Sequence, residues 1–341
     1  MLLQGWAIAL GICSAGILFL GLVAVVCAVR VLRYWDHGAD TSRQIRLESE
    51  TWLSSALMQY GLVFQLLSLV LLVLAADSFS SLLVGAMCAT GAFMANPYGI
   101  PALLVKIVMV FFSGYWLLLH RLDSQSESYP LARLKYGYLL VLVPLLLTDG
   151  LLQFCYLYFL EPDVITSCCG VVFRSGEGDG RNLLDAFSTP TLLFIFYALA
   201  AGLLLLGLGI RVRLQQGHTS PGPVMGLFAV GWLLFFVVAI WAIIVVFSSY
   251  IYAMPHHRCP FDILQPEYGS IGYPIYLLLF AATFLGSGCG VAQLVRGVGD
   301  LAAAVFNFQS WALPLSLLLL TLFLLLTAYA PLSYILAGGE S

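Results

Sequence analysis

The chain has 341 residues, of which 61% are hydrophobic and 9% charged, with a formal net charge of −3. Soluble domains carry about a quarter of their residues as charges, so this composition, with a mean hydropathy of +0.99, excludes an ordinary soluble globular protein. The basic residues are spread over short loops and form no footprint for a nucleic-acid partner.

A membrane-spanning helix needs roughly 20 apolar residues. Eight stretches reach about that length: 5–29, 52–76, 100–120, 135–160, 190–210, 224–252, 273–294 and 312–336. Their apolar runs are continuous rather than alternating, which predicts helices and not barrel strands. The expected fold class is an all-α polytopic integral membrane protein whose first partner is the lipid bilayer. The first span has no basic residue ahead of it and no evident small-residue cleavage site, so it reads as retained rather than as a secretory signal.

Along the chain, segment 77–99 is too short to cross and return. Asp77 suits a helix N-cap, and Asn96-Pro97-Tyr98-Gly99 reads as a turn, so a short interfacial or re-entrant helix carrying Cys88 is expected here. Span 3 contains Lys106, whose long side chain can snorkel outward. Span 4 contains Asp149 near mid-membrane, with Gln153 one turn on along the same face. Lys106 and Asp149 differ in depth by about 9 Å at 1.5 Å per residue, a gap that a lysine side chain largely spans if the two helices pack together. An intramembrane ionisable residue is a functional hypothesis by default, and these three residues are the candidates for a proton or ion relay. Gln59 and Gln65 of span 2 read as interhelical glue.

A loop at 161–188 follows, with the adjacent Cys168 and Cys169, and it divides the chain into a membrane half at 1–160 and another at 189–341. Loop 254–272 of the second half holds His256, His257 and Cys259. Cys88 is followed by Pro97-Tyr98-Gly99, and Cys259 by Pro266-Glu267-Tyr268-Gly269, an echo consistent with a 4+4 parallel internal repeat. Cys13, Cys27, Cys155 and Cys289 lie within spans and read as buried small hydrophobes. In span 7, Gly286-Ser287-Gly288-Cys289-Gly290 lets a neighbouring helix approach closely.

Short loops rich in Lys and Arg stay in the cytoplasm. Arg30, Arg33, Arg43, Arg46, Arg121, Arg133, Lys135, Arg211, Arg213 and Arg296 follow the odd-numbered spans, whereas Arg174, Arg181 and Arg258 follow the even ones. Ten against three predicts both termini outside the cytoplasm and, with them, Cys88, Cys168, Cys169, Cys259, His256 and His257. The expected location is the plasma (inner) membrane.

Three chemistries compete for the outer thiols. They are structural disulfides, with Cys168 and Cys169 each bonded to Cys88 or Cys259 because a bond between neighbours departs from usual geometry. Alternatively they form a thiol redox relay linked to quinone. Or Cys168, Cys169 and Cys259, with His256 or His257, hold a soft metal ion such as Cu or Zn. Haem does not fit, because no span carries a histidine in its interior. The function expected first is thiol-disulfide redox or soft-metal handling that matures exported redox proteins or metalloproteins. The alternatives are a transporter using Asp149 and Lys106, with the cysteines as staples, and a non-catalytic membrane subunit of a larger complex.

Overall fold

The computed structural model describes residues 3–35, 41–86, 88–126, 128–163, 188–217, 221–254 and 258–336. These are helical, with no strand among them. The helices are α1 (Gly5–Tyr34), α2 (Ser42–Ser80), α3 (Ala89–Met94), α4 (Gly99–Asp123), α5 (Ala132–Tyr158), α6 (Thr189–Gln215), α7 (Gly222–Tyr252), α8 (Gly272–Leu294) and α9 (Ala302–Leu336). All but α3 are long and apolar enough to cross a membrane, and large apolar side chains such as Phe19, Leu22 and Val26 of α1 stand exposed on their outer faces.

Two helices begin about ten residues before the apolar stretches predict. The first turns of α2 are polar and so escape a hydropathy reading. They hold together because Thr41 Oγ1 accepts from the Gln44 N–H (3.3 Å) and Glu50 accepts from Arg46 one turn before it and from Arg30 of α1 (3.1 and 2.8 Å). At its other end α2 continues to Ser80, so Asp77 lies inside its last turns and is not an N-cap. The short helix expected in 77–99 is α3, with Cys88 at the N-cap position. Asn96 makes the turn that follows: its Oδ1 accepts from the Tyr98 N–H (3.0 Å) and its Nδ2 donates to the Tyr156 carbonyl (2.9 Å).

The chain forms two compact units. The first is Met1–Thr166 with Val295–Val305. Its four long helices pack in the ring α1–α2–α4–α5 and back to α1. Named contacts fix each register. Between α1 and α5, Gln153 reaches Leu10 and Ser14, while Arg133 reaches the Leu32 carbonyl (3.4 Å), so the two run antiparallel. Between α2 and α5, Tyr136 meets Thr51 and Ser55 while Asp149 meets Gln65, which is a parallel pairing. Between α4 and α5, Lys106 meets Asp149, Tyr138 Oη donates to the Phe112 carbonyl (3.0 Å), Trp116 Nε1 donates to the Lys135 carbonyl (3.2 Å), and Asp123 meets Lys135. A layer of Met58, Leu62, Met109, Leu139, Leu142 and Leu146 fills the core of this unit.

The second unit is Ser167–Leu294 with Phe306–Ser341. Its core is aromatic: Phe196 of α6 contacts Phe235 and Phe247 of α7 and Phe323 of α9. Small residues bring α7 and α8 together, as the sequence suggests. A Cβ on Gly286 would stand 2.0 Å from Trp232 Nε1, and one on Gly290 2.4 Å from Ala229 Cβ. Gln309 of α9 donates to the Cys289 carbonyl (3.1 Å) and to Gln293 Oε1 (3.0 Å), tying α9 to α8. Helix α7 loosens into a π turn at Ile243–Phe247.

Candidate functional site

Lys106 lies seven residues inside the start of α4, and Asp149 nine residues before the end of α5. Because α4 and α5 are antiparallel, the two side chains come to similar depth. Lys106 Nζ sits 2.9 Å from Asp149 Oδ2, with the side chains 0% and 2% exposed. The lysine therefore does not snorkel outward. A free charge at such depth costs about 2.5–3.5 kcal/mol on insertion scales, and pairing inside the bundle removes most of that penalty from both partners at once.

Helix α2 completes the pair. Gln65 Nε2 donates to Asp149 Oδ2 (2.7 Å), Lys106 Nζ donates to Ser68 Oγ (3.2 Å), and Ser68 Oγ donates in turn to the Gln65 carbonyl (2.7 Å). Gln65 is thus a direct partner of the carboxylate, more than the interhelical glue the sequence suggests. Gln153 behaves in the opposite way. It shares a face with Asp149, yet its Nε2 turns to α1, donating to the Leu10 carbonyl (3.2 Å) and to Ser14 Oγ (2.9 Å). Asp149 Oδ1 and Gln153 Oε1 are both buried and have no hydrogen-bond partner among the described residues.

A second buried ion pair joins the same two helices at their other end, and sequence reasoning missed it. Lys135 Nζ lies 2.9 Å from Asp123 Oδ2, and Asp123 Oδ1 accepts from the Leu131 N–H (2.8 Å). Lys135 Nζ also lies 3.2 Å from His120 Nδ1, and the His120 ring stacks on Trp116 at 5.4 Å between centroids. Lys135 had counted as a loop charge. The overlooked signal was Asp123, twelve residues before it across a short connection that favours an antiparallel hairpin. Between the two pairs the buried polar side chains include Ser54, Ser55 and Ser113, and Tyr136, whose hydroxyl donates to the Thr51 carbonyl (2.8 Å) and lies 3.0 Å from Ser55 Oγ.

Of the thiol candidates, Cys88 and Cys259 are buried, at 2% and 0% exposure. Cys259 Sγ accepts from the Phe261 N–H at 3.4 Å, and Tyr252 Oη donates to the Cys259 carbonyl. Cys168, Cys169, His256 and His257 lie outside the described residues, and with them the expected redox pairings and metal set. No disulfide joins two of the six described cysteines. Among the cysteines within spans, Cys27 and Cys289 are buried as expected, but Cys13 and Cys155 are only half-buried. No protein-family model, no curated protein and no solved structure matches this chain.

Proposed function

We propose that the protein is a membrane transporter in which Asp149 and Lys106 are the ionisable elements of a path for protons or small cations. One observation carries this reading: a Lys–Asp pair withdrawn from solvent inside an apolar four-helix unit, with one carboxylate oxygen that has no donor among the described residues. A purely structural pair gains little over well-packed apolar residues, and a structural carboxylate is expected to have both oxygens occupied. In this reading the outer cysteines Cys88, Cys168, Cys169 and Cys259 are structural.

The same proposal takes both termini as extracytoplasmic and the plasma membrane as the location, supported by the bias of basic residues toward the loops after odd-numbered spans. It also takes residues 1–160 and 189–341 as halves of a parallel repeat. The support is a shared local pattern ahead of a span. In the first unit this is buried Cys88, the turn of α3 and Gly99, where a Cβ would stand 2.1 Å from the Phe93 carbonyl oxygen. In the second it is buried Cys259, a 3₁₀ turn at Asp262–Leu264 and Gly272, where a Cβ would stand 2.9 Å from the Ile263 carbonyl oxygen.

The test is proton flux into liposomes reconstituted with the full chain, driven by a potassium diffusion potential and read by an internal pH dye. The expected result is a flux above that of empty vesicles which Asp149→Asn abolishes while the variant still extracts and elutes like the parent. A variant that carries the same flux as the parent, or a parent no faster than empty vesicles, would overturn the transport reading.

A further inference from the structure

We infer that a cavity between the C-terminal end of α6 and the N-terminal part of α9 binds an anionic phospholipid whose headgroup carries a hydroxyl. The cavity encloses about 260 Å³ and lies wholly within the second unit. Arg211, Gln215 and Ser310 make its polar, exposed rim, whereas Leu214 and Leu313 of its wall are buried and Phe306 is half-buried. Sites for drug-sized molecules run to roughly 300–1,000 Å³, so this one suits a headgroup rather than an extended solute. The inference stands apart from the transport reading, which concerns α4 and α5.

The register of the two helices sets this arrangement. Gly207 of α6 packs so closely on α9 that a Cβ there would stand 2.6 Å from Leu317 Cδ2, and further along Phe196 meets Phe323. The helices are therefore antiparallel. Counting from Gly207 and Leu317 at equal rise per residue brings Arg211 level with Leu313 and Gln215 nearly level with Ser310. Arg211 ends the apolar stretch 190–210, and Ser310 precedes the apolar stretch 312–336. The cavity thus lies at the edge of the hydrocarbon layer. Exposed Trp311, next to Ser310, is a side chain of the kind that settles at that level.

Charge and hydrogen-bonding capacity name the ligand. Neither α6 nor α9 contains an Asp or Glu, and Arg211 makes no ion pair among the described residues. A guanidinium beside an apolar wall matches a lipid phosphodiester, its planar fork taking two phosphate oxygens. Pro314 adds an acceptor. It has no N–H to donate to the Ser310 carbonyl one turn before it, and both residues border the cavity. A headgroup hydroxyl that donates to this oxygen replaces the missing helical bond, as partners other than the helix itself do for prolines within spans. The acyl chains continue over exposed leucines one turn deeper, such as Leu208 and Leu318. In the orientation proposed above, this end lies in the cytoplasmic leaflet, where anionic lipids collect.

The test is native mass spectrometry of the full chain in neutral detergent, titrated with lipids of identical acyl chains. They are phosphatidylglycerol, phosphatidylmethanol (the same charge without a hydroxyl) and zwitterionic phosphatidylcholine. The first phosphatidylglycerol should bind ~tenfold or more tightly than phosphatidylcholine, the effect of about 1.4 kcal/mol. Phosphatidylmethanol should bind ~threefold more weakly than phosphatidylglycerol for want of one hydrogen bond. Arg211→Gln should lower phosphatidylglycerol to the level of phosphatidylcholine. Arg213→Gln, two residues on and so on a different face of α6, should change it by less than ~twofold. Glycerol 1-phosphate should not displace the lipid. A parent protein that binds phosphatidylglycerol no better than phosphatidylcholine overturns the site, independently of how any variant folds. Equal losses in Arg211→Gln and Arg213→Gln overturn it as well, because they mark a diffuse basic surface. Displacement by equimolar glycerol 1-phosphate overturns the lipid assignment in favour of a soluble phosphate ester, and phosphatidylmethanol binding equal to phosphatidylglycerol overturns the hydroxyl contact at Ser310.

Discussion

Replacing Lys106 with Met tests the energetic account of the buried pair, because Met keeps most of the aliphatic volume and removes only the charge. At 2.9 Å the pair attracts by about 6 kcal/mol for an effective dielectric constant near ~20. Against that stands the loss of hydration, several kcal/mol for each ion, so the intact pair is close to break-even. The single variant is not. It keeps the full desolvation of Asp149 and leaves the carboxylate one donor, Gln65. The expected cost is about 3–5 kcal/mol, and at ~2–4 °C per kcal/mol for a protein of this size the midpoint of thermal unfolding should fall by about 6–20 °C. Unfolding in detergent, followed by near-UV circular dichroism, measures it. Lys106→Met combined with Asp149→Leu removes both charges and should return to within about 1–2 kcal/mol of the parent. The reasoning fails if the single change costs less than about 1 kcal/mol, or if the double variant is as unstable as the sum of the two singles.

Two further changes probe the helix packing by the same unfolding measurement. Tyr136→Phe removes the hydroxyl that links α5 to Thr51 and Ser55 of α2 and should cost about 1–2 kcal/mol; no loss would mean that the link is incidental. Gly286→Ala places a Cβ 2.0 Å from the Trp232 ring nitrogen, so it should cost about 1–3 kcal/mol or more by overpacking and alter the tryptophan fluorescence. An unchanged spectrum would contradict the close α7–α8 approach.

Hydropathy found all eight spans because each must bury about 20 residues in lipid, and that demand is written residue by residue. It misplaced the starts of α2 and α9, since helix beyond the hydrocarbon is held by hydrogen bonds and caps such as Thr41, to which an apolar window is blind. Depth counting left Lys106 and Asp149 about 9 Å apart, a gap closed by the reach of the lysine and the antiparallel packing of α4 on α5. The partners were not legible: whether Gln65 or Gln153 faces the carboxylate depends on which helices adjoin in the ring. Asp123 and Lys135 escaped because each sits at a helix end, where a charge looks solvated unless the neighbouring helix is known to cover it. The thiols expected on the outer face, most prominent in the sequence, include the pair at Cys168 and Cys169 that lies outside the described residues.

The two ion pairs on α4 and α5 also bear on how the chain enters a membrane. On α4 the cation comes first and the anion follows 17 residues later; on α5 Lys135 precedes Asp149 by 14. Folded back as a hairpin, each helix meets the other's charges with opposite sign, and a slip of one turn would break both matches at once. Released singly into lipid, either helix would carry an unmatched charge at a cost of about 2.5–3.5 kcal/mol on insertion scales. Entering together, they cancel. The charges of the two helices are thus matched as one hairpin, and that match fixes a single register between them.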